Sequence, residues 1–236
     1  LPSLNWIVGI SSLAQSHFLQ LRLAKLGVIS NGTTLLDAGS LDSGVATGAL
    51  THIKTLTASG SADLTFVNGA ASVVFDGTYK EYLFTFNDIH PAAVSYFSVN
   101  FSDDTSSHSY DLTKTSSSFM TYNDEANTAN SLQYRAAYDL AQGTGIQPLG
   151  GDTMGVTNDN CGVGFLTVYD PANTTFVKHF ISRFKPNYNA ANGSTPYSHD
   201  GFTSGYINTT AAVTAVQFKM STGNIDAGTI KLYGIK

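Results

Sequence analysis

One stretch of the chain collects side chains suited to binding a sugar. Residues 186–205 carry Tyr188, Tyr197, His199 and Asp200 among Asn, Gly, Ser and Pro residues. An aromatic face can stack on a pyranose ring, while Asn and Asp side chains bind its hydroxyl groups. The alternative is a solvent-exposed loop whose aromatic residues anchor it or contact a neighbouring subunit. The four named residues are therefore a candidate glycan-binding set.

Motifs for several enzyme classes are missing from the sequence. There is no Gly-x-Ser-x-Gly nucleophile elbow, no P-loop and no dinucleotide-binding fingerprint. The acidic pairs Asp103-Asp104 and Asp124-Glu125 are adjacent residues, whereas a glycosidase needs two carboxylates at a set separation. Such pairs are typical of solvated loops. We therefore expect no enzymatic activity and no catalytic residue.

Metal-binding patterns are weak. None of the six His residues has His-x-x-x-His or His-Glu-x-x-His spacing, and the lone Cys161 lacks the further soft ligands of a zinc site. Asp152 and residues 158–160 offer hard oxygen atoms that suit Ca²⁺, but without the spacing of an EF-hand. We expect no metal and no cofactor.

The composition excludes other classes of protein. Charged residues make up 12% of the 236-residue chain, about half the usual share. The net charge is −5 without a basic stripe, so nucleic-acid binding is not expected. No apolar run reaches the ~18 residues that cross a bilayer, so membrane insertion is not expected. One Cys excludes a disulfide scaffold, and 42% hydrophobic residues are enough for a core.

Most of the chain after about residue 50 has the alternation of β-strands. Eight segments combine aromatic or β-branched residues with this period: 51–57, 62–67, 79–86, 94–101, 162–169, 176–184, 212–220 and 229–236. Turns such as Asp76-Gly77 and Asn68-Gly69 separate them. No strand–helix–strand rhythm is present, so the pattern predicts an all-β fold, an antiparallel β-sandwich of jelly-roll-like type.

The remaining segments are less regular. Residues 1–50 are predicted to be an extended N-terminal arm, and residues 51–236 the β-sandwich domain. Leucine spacing favours a short helix over residues 13–26, although alternation there also fits a strand. Residues 131–142 fit either a helix or a strand. Two long inter-strand stretches, 102–130 and 186–205, are expected to carry function or structure of their own.

Few charged residues and many Ser, Thr, Asn and aromatic residues suit a surface that packs against copies of itself. Burying hydroxyl and amide groups with hydrogen-bond partners costs less free energy than burying charged groups. An arm with little local structure usually docks on a neighbouring molecule. We therefore expect a homo-oligomer, with a trimer as the first choice, and attachment to other proteins through residues 1–50.

Several stretches resemble a module of tail-fibre-like and other virion structural proteins of bacteriophages, especially marine and cyanobacterial ones. They are residues 55–66, 79–91, 139–149, 175–180 and 216–236. These stretches are distributed between about residue 50 and residue 236, so the resemblance spans most of the chain, whereas the first 50 residues show no clear match. The resemblance is specific to the module and not to a position in the virion.

The resemblance implies a non-enzymatic virion structural protein exposed on the particle and assembled in the host cytoplasm. Such a protein would be a tail-fibre or adsorption component, or a decoration (cement) protein on the head. Its partners would be copies of itself and other virion proteins. The alternative is a lectin-like carbohydrate-binding module that recognises host-surface glycans. A glycan depolymerase is a third hypothesis, but most tailspike enzymes are longer and have a repetitive β-helix sequence.

Overall fold

A computed structural model describes residues 28–30, 33–37, 40–41, 49–188 and 195–236. The chain divides into two units, Leu1–Ala46 and Thr47–Lys236, whereas the sequence predicts a boundary after residue 50. In the first unit, β1 (Val28–Ser30), β2 (Thr33–Asp37) and β3 (Ser40–Leu41) form a three-stranded antiparallel sheet. The helix predicted over residues 13–26 lies outside the described residues.

The second unit contains two sheets built from twelve strands among the described residues. The strands are β4 (Leu50–Ser61), β5 (Leu64–Val67), β6 (Glu81–Pro91), β7 (Phe97–Ser102), β8 (Lys114–Asp124), β9 (Asn130–Tyr134), β10 (Gln147–Pro148), β11 (Gly162–Tyr169), β12 (Lys178–Tyr188), β13 (Tyr197–Ile207), β14 (Ala215–Met220) and β15 (Ile225–Ile235). The eight-stranded sheet has the order β4-β15-β6-β11-β12-β13-β8-β9, and the four-stranded sheet has the order β10-β7-β14-β5.

The two sheets share one hydrophobic core. Phe84 and Phe86 on β6 of the larger sheet meet Phe218 on β14 of the smaller sheet, with ring centroids 5.1 and 5.2 Å apart. Phe97 on β7 lies 5.1 Å from Phe86. These buried rings belong to a single cluster with members from both sheets. The arrangement is therefore sandwich-like, with inward side chains of both sheets in contact.

The sequence prediction of an all-β, antiparallel fold is confirmed for the described residues, which contain no helix and pair only antiparallel strands. The predicted strand 162–169 has the same bounds as β11. The sheets have eight and four strands, whereas a jelly roll has eight strands in all. The jelly-roll assignment therefore stays a prediction.

Three other segments differ from the sequence prediction. The helix considered over residues 131–142 is wrong, and the strand considered there exists as β9. The long stretches 102–130 and 186–205 hold β8 and most of β13. In β13 the inward positions Gly201 and Gly205 carry no side chain and the larger Phe202 and Tyr206 point outward. At these positions the large residues face outward and the small ones inward, the opposite of the usual pattern of a strand. The sequence therefore does not indicate that β13 is a strand.

Gly201 is glycine because the chain packs directly on its inner side. A Cβ atom at this position would overlap the carbonyl oxygen and carbonyl carbon of Gly150. Because the obstacle is backbone and not a flexible side chain, it has little freedom to move. This close approach holds the segment around Gly150 against β13, next to the end of the sheet that carries Tyr197.

We predict that Gly201→Ala destabilises the protein by about 1–3 kcal/mol, the usual cost of overpacking a core position. Gly145→Ala is the matched control, because a Cβ there meets nothing within 4 Å. Urea unfolding followed by circular dichroism gives both values. Equal stability of the two variants would contradict the packing described for Gly201.

Candidate functional site

Tyr188 and Tyr197 are paired residues at the ends of neighbouring strands. Tyr188 is the last residue of β12 and Tyr197 the first of β13, and they lie opposite each other in the register. Their ring centroids are 5.2 Å apart and the ring planes are inclined by 30°. On the other side of β13, Tyr122 of β8 lies 5.8 Å from Tyr197. Three tyrosines on adjacent strands thus form an aromatic cluster at one end of the eight-stranded sheet.

A cavity of about 510 Å³ opens beside this cluster, within the usual range for small-molecule sites. Its lining comes from the ends of β8, β12 and β13 and from the segment before β11: Asn123, Asp124, Glu125, Asp159, Asn160, Lys185, Asn187, Tyr188, Pro196, Tyr197 and Ser198. Amides, carboxylates and tyrosines predominate, so the cavity offers many hydrogen-bonding groups beside one aromatic wall.

Asn160 is the fully buried member of the lining. Its Nδ2 donates a hydrogen bond to Thr157 Oγ1, and Thr157 Oγ1 donates in turn to Asp159 Oδ1 at 2.5 Å. Because the Thr157 hydroxyl has a single proton, it must accept from Asn160, which fixes the orientation of the amide. Asn160 Oδ1 is then left without a hydrogen-bond partner among the described residues.

His199 lies behind the aromatic wall. Its ring centroid is 5.5 Å from that of Tyr197, its side chain is buried, and neither ring nitrogen has a hydrogen-bond partner among the described residues. Burial lowers the pKa of His199 to about 4, against an ordinary value of 6.5. The imidazole is therefore neutral near pH 7, and it supports the ring of Tyr197 by packing.

The electrostatic environment of the cavity is acidic. Asp124, Glu125 and Asp159 contribute three carboxylates, against the ammonium of Lys185. Both carboxylate oxygens of Asp124 are occupied, Oδ1 by the backbone amide of Thr128 at 2.7 Å and Oδ2 by its hydroxyl at 2.6 Å. These bonds lower the pKa of Asp124. The cavity is therefore unfavourable for anions.

Asp200 does not join the other predicted residues. It follows His199 on β13, and successive side chains of a strand point to opposite faces. On the outer face of the sheet, Asp200 accepts hydrogen bonds from Arg183, with Nε 3.0 Å from each carboxylate oxygen and Nη2 2.5 Å from Oδ2. The structure therefore brings Tyr188, Tyr197 and His199 together and gives Asp200 a separate role in an ion pair.

The outer face of the eight-stranded sheet carries a second feature, which the sequence pattern did not predict. A row of residues in direct cross-strand register runs over five adjacent strands: Phe165, Arg183, Phe202, Phe119 and Tyr134. The rings of Phe119 and Phe202 are stacked at 4.9 Å, and the Arg183 guanidinium lies 5.0 Å from the centre of the Phe202 ring. We call this row, with the neighbouring Val163, Ile181 and Leu132, the outer apolar face.

The other chemistry considered from the sequence is not assembled in the described part of the chain. No group of three or more His, Cys, Asp or Glu residues there is placed to hold a metal ion. Asp152, considered as a Ca²⁺ ligand, pairs with Arg135 at 3.3 Å. Burial raises the pKa of the Cys161 thiol, which disfavours the reactive thiolate. No helix in the described ranges is long and apolar enough to span a membrane.

No family model, no curated protein and no solved structure matches the chain. The resemblance to phage virion modules therefore stays a prediction from the sequence. The sequence does not indicate Asn123, Lys185 and Asn187 as site residues, because only strand register brings them to the tyrosines. It indicates Asn160 only as a Ca²⁺ ligand.

We predict that His199 makes the protein sensitive to mild acid. Because its pKa is about 4 in the folded protein and 6.5 in the unfolded chain, the unfolded chain binds the proton first as the pH falls. Its contribution to stability is complete above pH 6.5 and is lost towards pH 4, by about 3 kcal/mol. Urea unfolding of the wild type and His199→Leu over this range measures the effect.

The pH-dependent loss should be smaller in His199→Leu by that amount. His179→Leu, which removes an exposed histidine from β12, is the matched control and should keep the dependence of the wild type. Parallel pH profiles for the wild type and His199→Leu would show that the histidine is not held neutral by burial.

Proposed function

We propose that this protein is a non-enzymatic structural component of a bacteriophage particle, a tail-fibre or adsorption protein or a head decoration protein, and that it assembles with copies of itself. The resemblance of residues 50–236 to virion modules supports the phage assignment. The outer apolar face supports the assembly, and it is the observation that carries the proposal. The jelly-roll-like assignment and attachment through residues 1–50 belong to the same proposal.

The outer apolar face is large enough to be the centre of an interface. The exposed fractions of its residues are 70% for Leu132, 61% for Tyr134, 48% for Ile181, 43% for Phe119, 40% for Val163 and 39% for Phe165. With about 150–250 Å² for a large side chain, they expose roughly 500 Å². The largest apolar patches of monomers are of this size and are often functional, and a standard interface buries about 800 Å² per partner.

A second copy of the chain is the occupant that best fits this face. The charges of Arg183 and Asp200 neutralise each other within one molecule, so two such faces meet without net repulsion. The exposed Ser204 lies opposite Ile181 in the register, and its hydroxyl oxygen is 3.5 Å from that of the exposed Ser117 on the next strand. They provide a polar rim that a copy can match. The small share of charged residues in the chain, 12%, favours the same occupant.

We predict that the wild-type protein is an oligomer and that Ile181→Glu dissociates it, because a carboxylate without a partner is costly to bury in an apolar interface. Native mass spectrometry should give a multiple of 25.0 kDa for the wild type and 25.0 kDa for the variant. Two outer apolar faces that meet each other give a dimer, whereas the trimer expected from the sequence needs this face to contact a different surface of the next copy. Val94→Glu is the matched control, since Val94 is 53% exposed and lies between β6 and β7. A monomeric wild type would contradict the assembly.

The position in the particle requires a separate experiment. Gold-labelled antibody against the purified chain, imaged on intact particles, should mark the tail tip if the protein is a fibre component and the capsid shell if it is a decoration protein. Particles without label, from a host lysate that contains the chain, would argue against a virion protein.

Glycan recognition is the second candidate function. The cavity beside Tyr188 and Tyr197 favours it. Neither tyrosine belongs to the outer apolar face. A particle protein could have both functions, because the residues of the two surfaces are different.

A further inference from the structure

We propose that the cavity beside Tyr188 and Tyr197 binds an uncharged saccharide, and that Asn160 Oδ1 accepts a hydrogen bond from one of its hydroxyl groups. The inference deepens the second candidate function, because it names the class of ligand and the atom that receives it. It is independent of the assembly proposed for the outer apolar face.

The unpartnered oxygen of Asn160 is the first observation. The hydrogen-bond chain from Asn160 Nδ2 through Thr157 to Asp159 holds the amide in one orientation. Asn160 lines the cavity, and its Oδ1 atom is buried without a hydrogen-bond donor among the described residues. A buried acceptor without a partner costs about 1–3 kcal/mol. A hydroxyl group of a ligand in the cavity would recover that free energy.

The tyrosine pair is the second observation. Tyr188 and Tyr197 present two rings inclined by 30° at one wall of the cavity, and the apolar face of a sugar ring needs such a wall. Burial raises the pKa of the Tyr197 hydroxyl, which therefore stays protonated and able to donate. The amide of Asn187 lines the same cavity and has both donors and acceptors. An aromatic wall with a few convergent polar groups is the usual composition of a small-molecule site.

Charge restricts the saccharide to the uncharged class. Asp124, Glu125 and Asp159 outnumber Lys185 in the lining, so a sialic or uronic acid carboxylate would be repelled. A bare cation is a poor alternative, because Asp124 already accepts two hydrogen bonds from Thr128. No cluster of metal-ligating side chains occurs in the described ranges.

The test uses the full chain on an array that contains neutral, sialylated and uronic-acid oligosaccharides. The best neutral oligosaccharide is then titrated by isothermal calorimetry. We expect neutral sugars to bind and acidic ones to bind at least about tenfold more weakly. Tyr188→Ala and Asn160→Ala should each lower the affinity about tenfold or more. Phe176→Ala is the matched control, because Phe176 is an aromatic residue with 68% of its surface exposed and belongs neither to the cavity lining nor to the outer apolar face.

Asn160→Ala also breaks the hydrogen bond to Thr157, so Tyr188→Ala is the decisive variant, with near-ultraviolet circular dichroism to verify its fold. No saturable binding of any neutral sugar up to about 10 mM, preference for acidic sugars, or full binding by folded Tyr188→Ala would overturn the inference. Native mass is measured on the same samples. A monomer that binds the sugar would refute the assembly alone, and an oligomer that binds none would refute the saccharide site alone.

Discussion

The contact of Phe218 with Phe84 and Phe86 joins the two sheets of the second unit. Phe218 belongs to the four-stranded sheet, and the other two rings belong to β6 near the middle of the eight-stranded sheet. Since protein interiors are packed as densely as organic crystals, rings of this size fill the space between the sheets. Ligands and partners must therefore be received on outer faces and at strand ends, which is where the two candidate surfaces lie.

Strand β7 of the smaller sheet is buried on both faces. Its inward residues include Phe97 and Phe101, while the opposite side carries Ser98, Asn100 and Ser102, which are also buried. The Asn100 carboxamide accepts a hydrogen bond from Lys114 Nζ at 2.5 Å, and burial lowers the pKa of Lys114 to about 8. Because Lys114 is the first residue of β8, this hydrogen bond joins the two sheets, and the Asn100 amide also donates to the carbonyl oxygen of Thr144 in the chain segment before β10. Here the chain covers its own sheet, whereas the outer apolar face has no such cover among the described residues.

Strands with large inward residues could be predicted from the sequence, and β11 has the predicted bounds. Strand β13 could not be predicted, because two of its inward positions are Gly201 and Gly205. A side chain at either position would overlap neighbouring backbone atoms. The spacing of Leu132, Ala136 and Leu140 suits a helix as well as a strand, and Leu132 is an exposed residue of β9. The grouping of Tyr188 with Tyr197 was predictable from their loop. The separation of Asp200 from these tyrosines was not predictable. It depends on the alternation of side chains along β13, and the sequence does not indicate that strand.

Unpaired polar atoms concentrate where the saccharide site is proposed. Five buried side-chain atoms in the described residues lack a hydrogen-bond partner, and three of them are Asn160 Oδ1 and the two ring nitrogens of His199. Asn160 lines the cavity, and His199 supports Tyr197 from behind. Each such atom lowers stability, and sites where a sequence departs from full polar satisfaction are often functional. Of these five atoms, Asn160 Oδ1 is the one whose residue belongs to the cavity lining, and it is therefore the one placed to receive a ligand in the proposed site.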